Sequence, residues 1–487
     1  MNARSPRPAI APPNHRTVLT IMCLAVALPA LAGDPYLVGR NPRKQLVLDS
    51  RVIQSAAGAR LTFGVIAKDP HNPLFRADKP WENALNNLYP NVLYDEQERL
   101  FKLWYKCVLN DKDVIAKMDN PTPIHGQGWF LLYATSKDGL TWQKPELGLY
   151  KFDGSTRNNA VAQDTPNVGV FKDPHDPDPA RRYKMIYDLG HGKMRARFSP
   201  DGLRWSEPAV PDGLTDDPGD THNNAFWDER LGKYVLFSRP VAGGQRTVAR
   251  FESRDFLHWE NGQMVLRSNA DEGKARQAYC MPSFPYANVY LGYLMMINAG
   301  SDQTVDCELA WSPDSVAWHR VNPGTPFLPR GPKGSYDSSC IYAPAGPPIA
   351  QDGNILIVYG GSDAVHKGWK RHCLPALARL RLDGFAGYEP AQAGSSATIV
   401  TQPLRATGEP LRVSADAQGG SLRVAVLDAG DFGAAPSIPM ARDATDAAVE
   451  WTGRDFSALK GKMVRLKFEL RGAKLYAFSG LELPATP

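Results

Sequence analysis

The chain has 487 residues and a formal net charge of only +5, from 56 lysines and arginines against 51 aspartates and glutamates. A charge balance this even, without a run of basic residues, excludes a protein whose main partner is a nucleic acid or another polyanion. The length corresponds to about three domains of the usual size, or to fewer if one of them is large.

The first 32 residues have the pattern of a signal peptide. A short apolar core over residues 18–28 follows a positively charged start, and a small-x-small cleavage site ends at Ala32. The positive charges are Arg4, Arg7 and Arg16. An uncleaved membrane anchor is the alternative, but the apolar stretch is short for a bilayer span. We therefore expect a secreted or periplasmic protein, with no membrane span after the signal peptide is cleaved.

The cysteines indicate neither a metal site nor a disulfide framework. Cys23 lies in the signal peptide, and no C-x-x-C pair occurs, so zinc-type spacing is missing. The others are Cys107, Cys280, Cys307, Cys340 and Cys373. One disulfide is possible in an exported protein, but buried free thiols are the favoured interpretation. No nucleotide, haem or redox motif occurs, and no cofactor is predicted.

A short motif recurs along the chain: an apolar strand, then Ser-x-Asp or a close variant, then a tryptophan. The copies are Tyr133-Ala-Thr-Ser-Lys-Asp138-Gly-Leu-Thr-Trp142, Arg197-Phe-Ser-Pro-Asp201-Gly-Leu-Arg-Trp205, Phe251-Glu-Ser-Arg-Asp255-Phe-Leu-His-Trp259 and Trp311-Ser-Pro-Asp314-Ser-Val-Ala-Trp318, with a degenerate fifth at Ala378-Arg-Leu-Arg-Leu-Asp383-Gly-Phe385. We expect the aspartate to turn the chain between outer strands and the tryptophan to pack between neighbouring sheets. Both roles are structural.

The copies are about sixty residues apart, a period typical of repeat architectures. Further short runs of β-branched and aromatic residues precede each copy, which gives four strands per repeat. Five such repeats predict an all-β fold with a five-bladed β-propeller over residues 45–390. Residues 47–66 are expected to supply the strand that closes the ring, and an array of β-sandwiches is the alternative.

A second domain is predicted near the C-terminus. Residues 391–397 form a small-residue linker, after which apolar and polar residues alternate with a period of two. This alternation, with one polar face, predicts a small antiparallel β-sandwich over residues 398–484.

Polar residues just before the innermost strand of each predicted blade should point into an axial funnel. Carboxylates and amides there could bind sugar hydroxyls, aromatic faces could stack on a sugar ring, and two carboxylates could act as acid and base. The candidate catalytic carboxylates are Glu82, Asp220, Asp337 and Glu272, and the candidate substrate-binding residues are Trp81, Asn83, Asp164, His222, Asn223, Arg276, Tyr279 and His366. Each of them could instead be an ordinary turn, capping or solvated residue.

The segment Ser253-Arg-Asp-Phe-Leu-His-Trp259 resembles the Ser-x-Asp-Leu-x-x-Trp signature of five-bladed glycoside hydrolases. These include the family 32 fructosidases, the family 43 arabinosidases and xylosidases, and the family 130 mannoside phosphorylases. The resemblance covers roughly residues 45–390 and implies a nucleophile or base on blade one, an aspartate on blade two and a glutamate acid on a later blade.

The chain departs from the fructosidase pattern at each of these positions. No Trp-x-Asn-Asp-Pro-Asn-Gly occurs at blade one, and Tyr279 stands where the glutamate of a Glu-Cys pair would precede Cys280. Phe171-Lys-Asp-Pro174 is similar to the Arg-Asp-Pro motif but follows the predicted inner strand, so Asp173 is expected in an outer turn.

The sequence therefore favours a secreted glycosidase acting on an oligosaccharide or polysaccharide, with Glu82 and Asp220 as the acid and base. Two alternatives stay open. One is a glycan-binding propeller without catalytic activity. The other is a mannoside-type phosphorylase, which would need a basic phosphate pocket built from Arg239, Lys274 or Arg276.

Overall fold

The computed structural model describes residues 43–484 except for 87, 191–192, 215–218, 301, 368–370, 372, 431 and 433–435. The predicted signal peptide lies outside the described residues. The described chain opens with four short strands: β1 (Gln45–Leu46), β2 (Ile53–Ala57), β3 (Ala59–Phe63) and β4 (Ala67–Lys68). The all-β prediction is confirmed.

Helices are short throughout the described ranges. They are α1 (Lys112–Ile115) and 3₁₀ turns at Ser50–Val52, Pro179–Arg181, Ala270–Glu272 and Phe456–Leu459. None of these helices has the length and apolar character that crossing a membrane would require.

Five antiparallel meanders follow β3 in chain order. The first contains β5 (Asn91–Asp95), β6 (Leu100–Leu109), β7 (Gly128–Ser136) and β8 (Trp142–Gln143), with β9 (Ala160–Gln163) also paired to β7. The second contains β10 (Gly169–Lys172), β11 (Tyr183–Asp188) and β12 (Met194–Ser199). The third contains β13 (Asn224–Asp228), β14 (Lys233–Ser238), β17 (Val248–Ser253) and β18 (Trp259–Leu266), and β15 (Val241–Ala242) and β16 (Gln245–Arg246) form a hairpin beside it.

The fourth and fifth meanders share one ten-stranded sheet. The fourth contains β19 (Arg276–Cys280), β20 (Ser283–Tyr286), β21 (Val289–Asn298), β22 (Val305–Ser312) and β23 (His319–Val321). The fifth contains β24 (Cys340–Tyr342), β25 (Ile349–Gln351), β26 (Asn354–Ser362) and β27 (Cys373–Arg381). A single parallel pairing, between Val305 and Cys340, joins the two meanders.

The first strands of neighbouring meanders touch where they begin. The Asn91 side chain accepts from the backbone N of Val170 at 2.7 Å and donates to the carbonyl of Val168 at 3.3 Å, which joins the first meander to the second. At Gly169 an added Cβ would lie 1.7 Å from the Asn223 carbonyl oxygen, so the second and third meanders are also in direct contact.

Further bonds close this series of contacts. The Asn224 side chain accepts from the backbone N of Ser283 at 2.9 Å and donates to the carbonyl of Ala345 at 2.5 Å, which links the third meander to the fourth and fifth. The backbone N of Ala345 in turn donates to the Pro90 carbonyl at 2.9 Å, beside the start of β5. The contacts therefore run from the first meander through the others and back to it.

The recurrent Ser-x-Asp segments are turns with repeated hydrogen bonds. Asp138 Oδ1 accepts from the backbone N of Leu140 at 2.8 Å and of Thr141 at 2.7 Å, and Ser136 Oγ donates to it at 2.9 Å. The same three bonds recur at Asp201, Asp255 and Asp314. These residues have the structural role predicted for them.

Two six-stranded sheets contain the C-terminal strands. These strands are β28 (Ala386–Pro390), β29 (Ser396–Thr401), β30 (Leu404–Ala406), β31 (Arg412–Asp416), β32 (Ser421–Leu427), β33 (Asp443–Ala448), β34 (Met463–Arg471), β35 (Lys474–Ser479) and β36 (Leu481–Glu482). One sheet has the order β3-β28-β35-β31-β33 with β1 beside β35, and the other has the order β2-β29-β34-β30-β36 with β32 beside β34. Their apolar side chains form a core cluster of their own.

The N-terminal strands differ from the prediction. Residues 47–66 do not close the series of meanders, because β2 pairs with β29 and β3 pairs with β28 of the C-terminal sheets. The outer strand of the fifth meander is instead β4, which pairs with β27. Alternation of apolar residues is compatible with either partner, so the sequence pattern could not distinguish them.

We expect Asp138→Ala to lower the free energy of unfolding by about 1 kcal/mol, because it removes the acceptor of two backbone N–H groups and one hydroxyl. Urea denaturation measures this loss. Lys137→Ala, one residue away in the same exposed turn, should change the stability by less than half as much. Equal effects of the two substitutions would contradict this account of the turn.

Candidate active site

Tyrosines, histidines and basic residues from four meanders meet where the first strands begin. We call this group the axial cluster; it consists of Tyr89, Lys106, His222, Arg239, Arg246, Tyr279, Cys280, Tyr342, His366 and Arg371. Three of its members, His222, Tyr279 and His366, are among the substrate-binding residues predicted from the sequence.

A pair of tyrosine hydroxyls lies at the middle of the axial cluster. Tyr89 Oη and Tyr279 Oη are 2.5 Å apart, and both residues are buried. Burial raises the pKa of each phenol, so both tyrosines are neutral near pH 7. The Thr221 side chain is a further hydrogen-bond partner of both phenols.

The two histidines of the axial cluster are neutral. Burial lowers the pKa of His222 to about 3. Its Nε2 donates to the Ala343 carbonyl at 2.9 Å, so its Nδ1 is the acceptor facing Cys280 Sγ at 3.1 Å. Both ring nitrogens of His222 are therefore engaged within the protein, and the ring packs against Tyr89 with centroids 3.7 Å apart.

The pKa of His366 is affected by the positive charges of the axial cluster. Its pKa is lowered to about 2, first by burial and then by four neighbouring cations. These cations are Arg371, Arg246, Arg239 and Lys106. His366 Nδ1 lies 2.9 Å from Tyr342 Oη. These four cations make the site basic; among them, Arg239 is predicted from the sequence, as part of the phosphate pocket of the phosphorylase alternative.

Lys106 is a buried amine without a carboxylate partner in the described part of the chain. It is 3% exposed, and its Nζ donates to Asn167 Oδ1 at 3.0 Å. The Nζ lies 4.4 Å from the centroid of the Tyr89 ring and 5.2 Å from that of Trp129. Burial, together with the charge of Arg371, lowers the pKa of Lys106 to about 7.

Asp220 is the candidate carboxylate that the structure brings to the axial cluster. Its side chain is 75% exposed and forms an ion pair with Arg239, whose own side chain is 2% exposed. The Arg239 guanidinium also lies 5.4 Å from the Tyr279 ring centroid. Asn223 holds the Asp220 loop, because its amide donates to the Gly219 carbonyl at 3.1 Å.

Asp164 lies at the edge of the axial cluster, in the segment before β10. Its backbone N donates to the Trp129 carbonyl at 3.0 Å, and the Trp129 ring packs near Lys106. Asp164 Oδ2 accepts from the backbone N of Thr122 at 3.2 Å, whereas the buried Oδ1 has no partner among the described residues. Burial raises the pKa of this carboxyl, which favours the protonated form more than in water.

Glu82 does not join the axial cluster, and the pairing of Glu82 with Asp220 as acid and base is therefore not supported. Its side chain is fully buried; Oε1 accepts from Tyr105 Oη at 2.7 Å, and Oε2 accepts from Lys144 Nζ at 2.8 Å. The neighbouring Trp81 donates from Nε1 to Asn159 at 2.8 Å. These contacts anchor the segment before β5.

Asn83 belongs to the same anchoring segment as Glu82. Its Oδ1 accepts from the backbone N of Asn110 at 3.2 Å, at the end of β6. This bond fixes the loop before β5. Among the described residues, the Asn83 side chain forms no hydrogen bond with the axial cluster.

The other predicted carboxylates are also held inside single meanders. Asp337 is 1% exposed and bonds Lys68 Nζ at 2.5 Å and Tyr359 Oη at 2.9 Å. Glu272 pairs with Arg320 at 2.5 and 2.8 Å in the fourth meander. The carboxylate oxygens of both residues are bonded to neighbouring cations or hydroxyls, and these bonds stabilise the fold. We therefore do not include Asp337 and Glu272 in the candidate site.

Arg276, predicted as a substrate-binding residue, belongs to the same charge network as Glu272. It bonds Asp306 at 2.8 Å and Glu308 at 3.0 Å. Its charge is therefore compensated within the fourth meander, whereas Lys106 has no carboxylate partner among the described residues.

Sequence reasoning missed several members of the axial cluster, because it considered only residues directly before the first strands. Lys106 lies on the second strand of its meander, and Arg371 lies just before β27. Tyr89 and Tyr342 stand at positions that could have been included, but they sit in apolar segments that look like core. A basic residue inside an otherwise apolar strand, as at Lys106, is the signal that could have been used.

A separate cavity of about 330 Å³ lies at the other ends of the first strands. It is lined mainly by apolar side chains, with Asp173 and His175 among its polar members. Asp173 follows β10 as predicted, but it is buried and bonds Lys184 Nζ at 2.7 Å. Among the described residues, no group of three or more His, Cys, Asp or Glu side chains is arranged to hold a metal ion.

No protein-family model matches the chain, and no curated protein is similar to it. Similar solved structures include a β-1,2-mannobiose phosphorylase from Listeria innocua, 15% identical, which covers 65% of this chain and 97% of that one at a TM-score of 0.45. An N-acetylgalactosamine deacetylase from F. plautii is 15% identical and covers 68% of this chain and 97% of that one, with a TM-score of 0.42. A thermostable family-43 glycoside hydrolase is 14% identical and covers 61% and 89%, with a TM-score of 0.40.

These neighbours confirm the resemblance to propeller-type glycoside hydrolases that the sequence motif suggests. They are glycoside hydrolases and phosphorylases that act on glycans, together with a deacetylase. At such identities the likeness concerns the fold alone, and at TM-scores below 0.5 it carries no argument about the reaction of this chain.

Two buried lysines on β6 should respond oppositely to substitution. Lys102 pairs with Asp95 at 3.0 Å, so Lys102→Met should lower the free energy of unfolding by about 3 kcal/mol. This value is at the lower end of the free-energy losses seen when a buried ion pair is broken, because Lys172 still contacts Asp95 in the variant. Lys106→Met removes a charge that no described carboxylate compensates, and the stability should stay equal or rise. Thermal and urea unfolding measure both; equal losses would contradict the assignment.

Above about pH 7, the free energy of unfolding of the unsubstituted protein should rise with pH more steeply than that of the Lys106→Met variant. In the unfolded chain this lysine holds its proton up to the ordinary lysine pKa of 10.5, whereas in the folded chain its pKa is about 7. Between these values the unfolded state binds more protons, so raising the pH favours folding, by roughly 1 kcal/mol per pH unit. Parallel urea curves of both proteins from about pH 7 to about pH 9 test this. A constant difference would show that Lys106 keeps an ordinary pKa.

Proposed function

We propose that the five meanders are the blades of a five-bladed β-propeller and that the two six-stranded sheets form a β-sandwich. The cyclic contacts between first strands support the propeller, and the separate apolar core supports the sandwich. The division falls near the linker at residues 391–397, and β1–β3 join the sandwich. The signal-peptide pattern of residues 1–32 supports export to the periplasm or the medium.

We infer that the protein is a glycoside hydrolase that acts on an oligosaccharide or polysaccharide at the axial cluster. The observation that carries this proposal is a pair of carboxyls in opposite environments at the same end of the meanders. Asp220 is exposed and forms an ion pair with Arg239, whereas Asp164 is partly buried and its pKa is raised by that burial. A solvent-exposed carboxylate and a more readily protonated carboxyl are suited to act as base and acid.

The proposed roles follow from these environments. The Asp164 carboxyl donates its proton to the glycosidic oxygen as the bond to the anomeric carbon breaks. The Asp220 carboxylate either activates a water molecule or attacks the anomeric carbon itself. The separation of the two carboxyl groups around the sugar decides between these routes, with roughly 6.5–9.5 Å for inversion and about 5–5.5 Å for retention.

The aromatic members of the axial cluster would hold the sugar ring. Tyr89 and Tyr279 present neutral hydroxyls, and the Tyr342 ring lies beside Tyr89 with the ring centroids 5.6 Å apart. Such side chains stack on the apolar face of a sugar and bond its hydroxyls.

Phosphorolysis is the second candidate, and the basic residues around His366 favour it. In that reaction inorganic phosphate, instead of water, attacks the anomeric carbon and yields a sugar 1-phosphate. Assays of glycan cleavage with and without inorganic phosphate distinguish the two reactions. Hydrolysis releases free sugar without phosphate, whereas phosphorolysis is silent until phosphate is added.

We expect Asp164→Asn to slow cleavage of a natural glycan at least about 100-fold, because the leaving oxygen then receives no proton. An aryl glycoside with an acidic phenol as leaving group needs no such proton, and its cleavage should slow far less. Asp220→Asn should slow both substrates strongly. Release of reducing sugar and of the phenol measures the two rates.

Asp352→Asn serves as the control, since Asp352 lies in the exposed turn between β25 and β26. It should retain full activity on both substrates. Equal slowing of both substrates by Asp164→Asn would remove this residue as the acid. Sugar binding without any cleavage would instead favour a glycan-binding propeller without catalytic activity.

A further inference from the structure

The axial cluster holds more positive charge than the described carboxylates compensate. Lys106 and Arg246 have no carboxylate within ion-pair distance among the described residues; Lys106 bonds Asn167, and Arg246 bonds Gln277 Oε1 at 2.9 Å. Among the described residues, Arg239 is paired with the exposed Asp220 alone. Buried cations are normally paired, because an uncompensated charge in a low-dielectric interior is costly.

Two of these cations present buried N–H groups that bond nothing in the described part of the chain. These are the Nε groups of Arg239 and Arg246, and Arg239 is 3% exposed. A buried donor without an acceptor costs free energy unless a ligand or water completes it. The arrangement therefore points to a ligand that brings acceptor oxygens and negative charge.

The cations lie against the aromatic rings on which a sugar would stack. Lys106 Nζ is 4.4 Å from the Tyr89 ring centroid, and the Arg239 guanidinium is 5.4 Å from the Tyr279 ring centroid. A neutral sugar at these rings would leave Lys106 without a counter-charge from the described residues. A sugar with its own anionic group would use the rings and the cations together.

We propose that the axial cluster binds a glycan through an oxyanion carried by the sugar, either the carboxylate of a uronic acid or a sulfate ester. Arg239 Nε, Arg246 and Lys106 form the binding groups for this oxyanion. Arg239 Nη2 is already used by Asp220, so the ligand adds to the free side of the guanidinium and does not displace the proposed base. This inference rests on the proposed function, which makes a glycan the ligand.

The test compares matched glycans that differ only in charge. Isothermal titration of the mature chain uses a uronic-acid oligosaccharide and its methyl ester, and a sulfated oligosaccharide and its desulfated form. The charged member of at least one pair should bind about tenfold more tightly or better. This preference should weaken as salt rises, since the attraction is screened. Which pair shows the preference identifies the oxyanion.

Two variants tie the preference to the named residues. Arg246→Gln and Lys106→Met should each reduce the preference for the charged glycan about threefold or more while affinity for the neutral form stays within twofold. Arg465→Gln is the control, because Arg465 forms an exposed ion pair with Asp428 in the C-terminal sheets. It should leave both affinities unchanged. Circular dichroism and melting curves verify that the variants are folded.

Several results would overturn the proposal. One is equal binding of the charged and neutral members of both pairs. Another is tight binding of inorganic phosphate with no preference between charged and neutral glycans, which would assign the cations to a phosphate co-substrate. Loss of affinity for neutral and charged glycans alike in both variants would mean that the cations only support the fold.

Cleavage assays on the same glycans separate this inference from the proposed function. Cleavage of neutral and charged glycans at equal rates with equal affinity supports hydrolysis and overturns the oxyanion site. Tight, charge-dependent binding without cleavage supports the oxyanion site and contradicts hydrolysis.

Discussion

Asparagine side chains at the beginnings of first strands hold the meanders to one another, and the site depends on them. Asn91 accepts from and donates to the backbone at the start of β10, and Asn224 accepts from the backbone of Ser283 in β20 and donates to the carbonyl of Ala345. Backbone groups at a strand end that lack a partner in their own sheet would otherwise be buried without hydrogen bonds. These amides satisfy them and hold the starts of β5, β10, β13 and β20 together. Beside these contacts, the tyrosine pair of the axial cluster joins Tyr89, just before β5, to Tyr279 on β19.

Buried charge is distributed in two ways in this molecule. Within the meanders, cations such as Lys102 and Lys184 are paired with buried carboxylates. At the axial cluster, Lys106 has no such partner in the described ranges, and its burial lowers its pKa. The first arrangement stabilises each sheet, whereas the second costs free energy that a bound anion would recover. This contrast is the physical basis for treating the axial cluster as a binding site.

The candidate carboxylates also fall into two groups, according to whether their oxygens are bonded within one meander. Glu82, Asp337 and Glu272 are each held by a cation and further donors inside one meander, so their oxygens are occupied. Asp220 and Asp164 lie in the segments before first strands and keep oxygen atoms that the fold does not consume. A carboxylate in the sequence therefore indicates a catalytic site only when its hydrogen-bond and ion-pair partners in the structure are also known.

The sequence by itself determined the features that depend on near neighbours in the chain. The strands and the Ser-x-Asp turns follow from local alternation and from bonds within a few residues, as at Asp138. Tertiary structure alone decided which polar side chains meet and where β2 and β3 pair. Tyr89 and Tyr279 are far apart in the chain, and no local pattern encodes their contact. Such contacts arise when meanders pack side by side, because packing selects partners by position in space and not by distance along the sequence.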